Sequence, residues 1–177
     1  MRLSSHSLAG ANASKPNYDQ GTISPGIVHI GVGAFHRAHQ AFYIDDLLAA
    51  EPDWGIVGAS LRSADMANAL NPQDGFYTLC INGSEHSEYR IIGSILKVID
   101  ASKDGEALLQ QLADPAIRIV SLTVTEKGYC LDPASGQLDE KHSEIVADLE
   151  NQNVPKTVPG ILVEALRRRK NSDADAF

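Results

Sequence analysis

The chain has 177 residues, with 15 lysines and arginines against 23 aspartates and glutamates, a formal net charge of −8 and 43% apolar residues. That is the content of one ordinary domain, or of the first part of something larger, with enough apolar side chains for a real core; it argues against a disordered chain, and the acidic balance argues against a nucleic-acid binder, which needs clustered basic residues. No run approaches the ~20 apolar residues of a membrane span, the polar, Ser-rich start lacks the apolar stretch of a secretory signal, and Cys80 and Cys130 match no metal spacing, so a cytoplasmic protein with two reduced thiols is expected.

Residues 1–25 read as a mobile or loosely packed arm ending in Ser24-Pro25-Gly26. The run 27–30, Ile-Val-His-Ile, is short, β-branched and apolar at nearly every position, which suits a strand buried on both faces of a parallel sheet. Over 36–50, Ala41, Ile44, Leu47 and Leu48 fall at helical spacing with Asp45 and Asp46 between them, predicting an amphipathic helix. A second strand is expected over 55–60, completing a βαβ unit, then a short helix over 63–70 stopped by Asn71-Pro72. Strands over 76–81 and 88–95, with Asn82-Gly83 in the turn, read as an inserted hairpin. A helix over 104–113, a strand over 117–124, a loop over 132–136 and helices over 142–150 and 161–170 complete the chain. The basic run Arg167, Arg168, Arg169 and Lys170 at the end of the last helix reads as a solvated face. The fold class is thus α/β, a mostly parallel sheet with an inserted hairpin. A sheet ending on a helix lacks the next strand, so the chain reads as a fragment whose sheet is incomplete.

Gly31-Val32-Gly33-Ala34-Phe35-His36 begins like the dinucleotide fingerprint G-x-G-x-x-G. The first glycine permits a tight strand-to-helix turn, the second lets backbone approach a pyrophosphate without a Cβ in the way, and the anion meets the free N–H groups of the helix start. His36 stands where the third glycine would be, and two glycines after a strand also occur as an ordinary tight turn. NAD readers place a carboxylate about 20 residues onward to bind the ribose hydroxyls. Here the first acid after the second strand is Asp65, which reads equally as an acid complementing a helix dipole. Arg62 would favour a 2′-phosphate instead, and on balance NAD is expected ahead of NADP. Phe35, His36 and Arg37 are expected at the wall and rim of the turn, with Arg37 either reaching a phosphate or remaining a surface charge. His36 and His39 lack the further ligands zinc needs, and no metal site is expected. Thr125 and Glu126 follow the strongest later strand, at the end where doubly wound sheets bind ligands, whereas Lys127 reads as a solvated loop lysine.

The run from Ile27 through Gly31-Val32-Gly33-Ala34-Phe35-His36-Arg37-Ala38-His39-Gln40-Ala41 resembles the opening of the mannitol dehydrogenase family, the polyol-specific long-chain dehydrogenases. Ile119 through Thr125-Glu126-Lys127-Gly128-Tyr129-Cys130 resembles that family's second signature, and Pro155-Lys156 through Pro159-Gly160 with the following helix a third. The resemblance implies a Rossmann-like NAD-binding domain over 26–177 and an NAD-dependent, metal-independent oxidoreductase. Its substrate would be a small polyol or sugar acid, interconverted with the keto form as in mannitol 2-dehydrogenases and fructuronate reductases. It implies cofactor contacts at the turn, Gly31, Gly33, Ala34, Phe35, His36 and Arg37, and at Asp65 and Glu126, to which the reading of the residues adds Arg62 and Thr125. Ala64 stands where some members carry a second acid. The family's general-base lysine and its helping asparagines and histidine are expected beyond Phe177, so no catalytic residue is expected in this chain, which reads alternatively as a non-catalytic dinucleotide-binding module.

Overall fold

The computed structural model describes residues 2–84, 86–172 and 177. Its centre is a parallel sheet of four strands, β1 (Pro25–Ile30), β2 (Gly55–Ser60), β5 (Ile95–Asp100) and β6 (Ile119–Leu122), in the spatial order β5-β2-β1-β6. Strands β3 (Tyr77–Asn82) and β4 (Ser87–Ile92) form a separate antiparallel hairpin between β2 and β5 in the chain, as the sequence predicts. Position 85 lies outside the described residues. The helices are α1 (Ala34–Ala38), α2 (Gln40–Leu47), α3 (Asp65–Leu70), α4 (Gly105–Ala113), α5 (Ser143–Glu150) and α6 (Val158–Asn171). Among the described residues, no helix is long and apolar enough to cross a membrane.

The apolar runs of β1 and β2 are continuous because both faces of the sheet are covered. Val28, Ile30, Val57 and Ala59 pack against Leu108, Leu109 and Leu112 of α4 and Ile161 and Ala165 of α6. Ile27, Ile56, Ile95 and Val98 turn the other way, onto Ala41 of α2, Ala67 and Leu70 of α3 and Ile92 of the hairpin. Each fully buried isoleucine of this set is worth about 1.5–3 kcal/mol relative to exposure.

Four details differ from the sequence reading. The run expected as one strand over 88–95 is two strands broken at Gly93-Ser94, and β5 joins the parallel sheet beside β2. At the break a Cβ on Gly93 would lie 2.5 Å from the Phe76 ring, so the chain turns where only glycine fits. The helix expected over 36–50 is split at His39 into α1 and α2. Asp45, expected among polar surface residues, is buried: it accepts hydrogen bonds from Tyr18 Oη (2.5 Å), Arg90 Nη2 (2.7 Å) and the Gly93 N–H (2.8 Å). This carboxylate ties residues before β1 to the hairpin, and with Gln20 Nε2 donating to the Gly93 carbonyl it packs part of the segment expected as a loose arm. Finally, Arg169 of the basic run is buried and donates to the Leu112 and Asp114 carbonyls at the end of α4, while Arg168 pairs with Glu106 and Glu164.

Candidate functional site

After β1 the chain builds outward to β2 and β5, and then returns to lay β6 on the other side of β1. The connections leaving the carboxyl ends of β1 and β6 therefore diverge, and the crevice between them is where open α/β sheets hold ligands. A cavity of about 670 Å³ lies there, lined by Gly31, Val32, Gly33 and Arg37 after β1, Ser60, Leu61, Arg62, Ser63, Asp65 and Met66 after β2, and Thr123, Val124, Thr125 and Gly128 after β6. Glu144 of α5 and Lys156, Thr157 and Val158 at the start of α6 close its remaining side.

The two glycines of the turn have different roles. Gly31 has φ +102°, and a Cβ there would lie 2.6 Å from the Thr123 carbonyl oxygen. It is glycine because the backbone of β1 passes against that of β6. Gly33 has extended backbone before α1, and a Cβ there would meet nothing nearer than the Gly31 carbonyl oxygen at 3.8 Å. Its missing side chain leaves an open concavity on the cavity wall beside the first N–H groups of α1, which have no intrahelical acceptor.

Beneath the turn the His29 and His36 rings stack, with centroids 3.6 Å apart and planes at 10°. His29 bonds through Nδ1 to Ser121 Oγ (2.8 Å) and through Nε2 to Thr123 Oγ1 (2.9 Å), crossing from β1 to β6. Burial pushes the His29 imidazole down to about 4. Burial, followed by the nearby His29 and Arg37, pushes His36 down to about 3. Two neutral imidazoles thus underlie the turn.

Of the ten residues the sequence singles out, Gly31, Gly33, Arg37, Arg62, Asp65 and Thr125 line the cavity. His36 does not: it is 1% exposed and faces His29, because the turn's first helical residues wrap over the end of β1. Ala34, Phe35 and Glu126 are exposed outside the cavity lining, with Phe35 stacked on His39. Arg37 is half-buried and donates to the Val32 carbonyl (2.9 Å), bracing the turn. Asp65 opens α3, with its N–H donating to Ser63 Oγ, and Arg62 lies 3.7 Å from the Glu144 carboxylate. Lys127 is exposed and does not line the cavity.

The contribution of Lys156, Thr157 and Val158 escaped the sequence reading. Asp148 of α5 accepts the Lys156 and Thr157 N–H groups (2.8 and 2.9 Å) and the Thr157 hydroxyl (2.6 Å), while Thr157 Oγ1 caps α6 by accepting the Gly160 N–H. That buried carboxylate fixes the start of α6 and sets Lys156 on the cavity. A threonine two residues before a proline is a helix-start signal, but nothing local reveals that this helix start faces the glycine turn.

Residues 25–177 match the family model described as the mannitol dehydrogenase Rossmann domain. Over 94% of its length the chain is 45% identical to a polyol:NADP oxidoreductase of Gluconobacter oxydans, of which it covers 36%; over 93% of its length it is 44% identical to a D-mannonate oxidoreductase of Escherichia coli, of which it covers 35%. A ternary complex of Pseudomonas fluorescens mannitol 2-dehydrogenase with NAD and D-mannitol superposes with a TM-score of 0.93 at 42% identity, covering all of this chain and 37% of that one. The chain spans about a third of the length of these relatives. Its glycine turn, switch-point cavity and sequence together make it a member of the mannitol dehydrogenase family, carrying that family's Rossmann dinucleotide-binding domain.

Proposed function

We propose that the cavity between the β1 and β6 ends binds NAD, as the cofactor-binding part of an oxidoreductase that interconverts a small polyol or sugar acid and its keto form. The observation that carries this is the concavity at Gly33, where absent side-chain volume and unpaired helix-start N–H groups fit a diphosphate. The nicotinamide supplies the hydride acceptor or donor. The chain's own groups hold and orient the dinucleotide. Gly33 and the start of α1 meet the diphosphate, Lys156 adds positive charge on the opposite wall, and the Asp65 carboxylate accepts the adenosine ribose hydroxyls. Of the residues implied by resemblance, Ala34, Phe35 and His36 would act through backbone N–H groups. Thr125 and Glu126 would flank the nicotinamide end. No residue of 1–177 is assigned as the proton-accepting lysine.

NAD is favoured over NADP because Asp65 repels a 2′-phosphate, while Arg62, the group that would welcome one, already faces Glu144. Titrating the full chain with NADH and NADPH, followed by nucleotide fluorescence, tests this. NADH is expected to bind more tightly, and Asp65→Ala to weaken NADH by about tenfold, or about 1.4 kcal/mol, while NADPH, relieved of the repulsion, holds or gains affinity. Equal losses for both would make Asp65 a helix-start acid and remove the ribose assignment.

A further inference from the structure

Beside Glu144 on the cavity wall, three residues from two separate segments of chain converge in a way the dinucleotide does not require. Cys130 ends the 3-10 turn Glu126–Tyr129 in a left-handed backbone conformation, φ +52°, and is buried with a free thiol. Beyond it the chain loops out and is closed at its neck by the Leu131–Leu138 bridge and by the Asp139 N–H donating to the Cys130 carbonyl (2.8 Å). Three residues past the neck, His142 caps α5 through Nδ1, which accepts a long 3.3 Å hydrogen bond from the Glu144 N–H. Glu144 then extends from the first turn of α5. One ligand atom from each of Cys130, His142 and Glu144 lies within 4.8 Å of the other two, and among the described residues no other such group of three occurs.

We propose that Cys130, His142 and Glu144 form a binding site for a zinc-class divalent cation. A sulfur, an imidazole nitrogen and a carboxylate oxygen are the donor types of zinc sites, and sulfur with nitrogen disfavours magnesium and calcium, which take oxygen ligands. Bonds of about 2.0–2.3 Å in a tetrahedron space the donor atoms roughly 3.5 Å apart, so the three must close by little more than an ångström. The exposed Glu144 side chain provides that movement, while Cys130 stays fixed by its backbone bonds. On binding, the thiol gives its proton to solvent and the sulfur bonds to the metal. The His142 Nδ1 lone pair passes from the Glu144 N–H to the metal, Glu144 leaves Arg62, and a water completes the fourth position. The cation would join the neck of the 131–138 loop to the start of α5, so binding raises the melting temperature.

The test is cobalt(II) and zinc titration of the full reduced chain, with absorbance and calorimetry. A one-to-one complex is expected, with a sulfur-to-cobalt charge-transfer band that zinc bleaches and magnesium does not. Cys130→Ser and Glu144→Gln should each weaken binding by at least about tenfold, since even groups that only support metal ligands have effects of that size. Cys80→Ser should leave the band unchanged, as Cys80 is exposed on the hairpin. Cobalt binding without the sulfur band, or the same affinity in folded Glu144→Gln and wild-type chains, would overturn the assignment. Glu144→Gln keeps the test decisive if Cys130→Ser does not fold, because Glu144 is exposed.

Discussion

On the floor of the cavity, where β1 and β6 end, Gly31 lies against the Thr123 carbonyl, and His29 is bonded across to Ser121 and Thr123 with His36 stacked on it. At the rim, Arg62, Asp65, Glu144 and Lys156 are all exposed and loosely held; the Arg62–Glu144 pair spans 3.7 Å between side chains that are 76% and 53% exposed. The floor is set by backbone proximity and desolvation, the rim by charge. A substitution in the floor should therefore act first on folding, and one at the rim on which dinucleotide binds and how tightly.

The largest effect that would break this contrast lies at Gly31. Gly31→Ala adds a Cβ at positive φ and against the β6 backbone, and should destabilise the chain by about 3 kcal/mol in denaturant unfolding. A variant as stable as wild type would mean the floor is not closed.

Acid should act next, and also through the floor. Both imidazoles are neutral when folded, with values near 4 and 3, whereas in the unfolded chain they protonate below about 6.5. The unfolded chain then binds more protons, so this contribution is complete above about pH 6.5 and is lost as pH falls toward 4 and 3. The loss is on the order of a few kcal/mol. His36→Phe retains a stacking ring without a titrating group and should flatten the stability profile between pH 6.5 and 4.5; an unchanged slope would assign the acid sensitivity to other groups.

Rim substitutions should move binding and shift melting by no more than about 4 °C. Lys156→Ala is expected to weaken NADH by about tenfold, with a shallower dependence on salt, since an exposed charge meeting a phosphate is screened. Arg62→Ala should have the smallest effect, changing stability by at most about 1 kcal/mol because the pair it breaks is exposed, and lowering NADPH affinity more than NADH.

The same contrast explains what was legible in the sequence. Strands β1 and β2 and the glycine turn announce themselves through unbroken β-branched runs and adjacent glycines, and the hairpin through its turn residues. Strand β5 is not separable from β4 in the sequence, because Gly93-Ser94 carries no local stop as strong as a proline, and its meaning comes from Phe76 and Asp45 arriving from elsewhere. His36 reads as a wall of the site because it stands at the third-glycine position of the fingerprint, next to Arg37; its burial depends on His29, on the strand before. Lys156 and Glu144 are not legible as cavity residues because they lie on segments more than a hundred residues from the glycine turn, and charge at such distances leaves no periodic trace.

The central claim, that the concavity at Gly33 receives the diphosphate of a dinucleotide, is tested most directly by Gly33→Val. The added Cβ enters open space with no neighbour nearer than the Gly31 carbonyl oxygen at 3.8 Å, so the variant should melt close to wild type. Measured by NADH fluorescence titration on the full chain, wild type should bind and Gly33→Val should lose at least about a hundredfold in affinity, or about 2.7 kcal/mol. Equal affinity in the two folded chains would contradict the account and leave Gly33 as part of an ordinary turn.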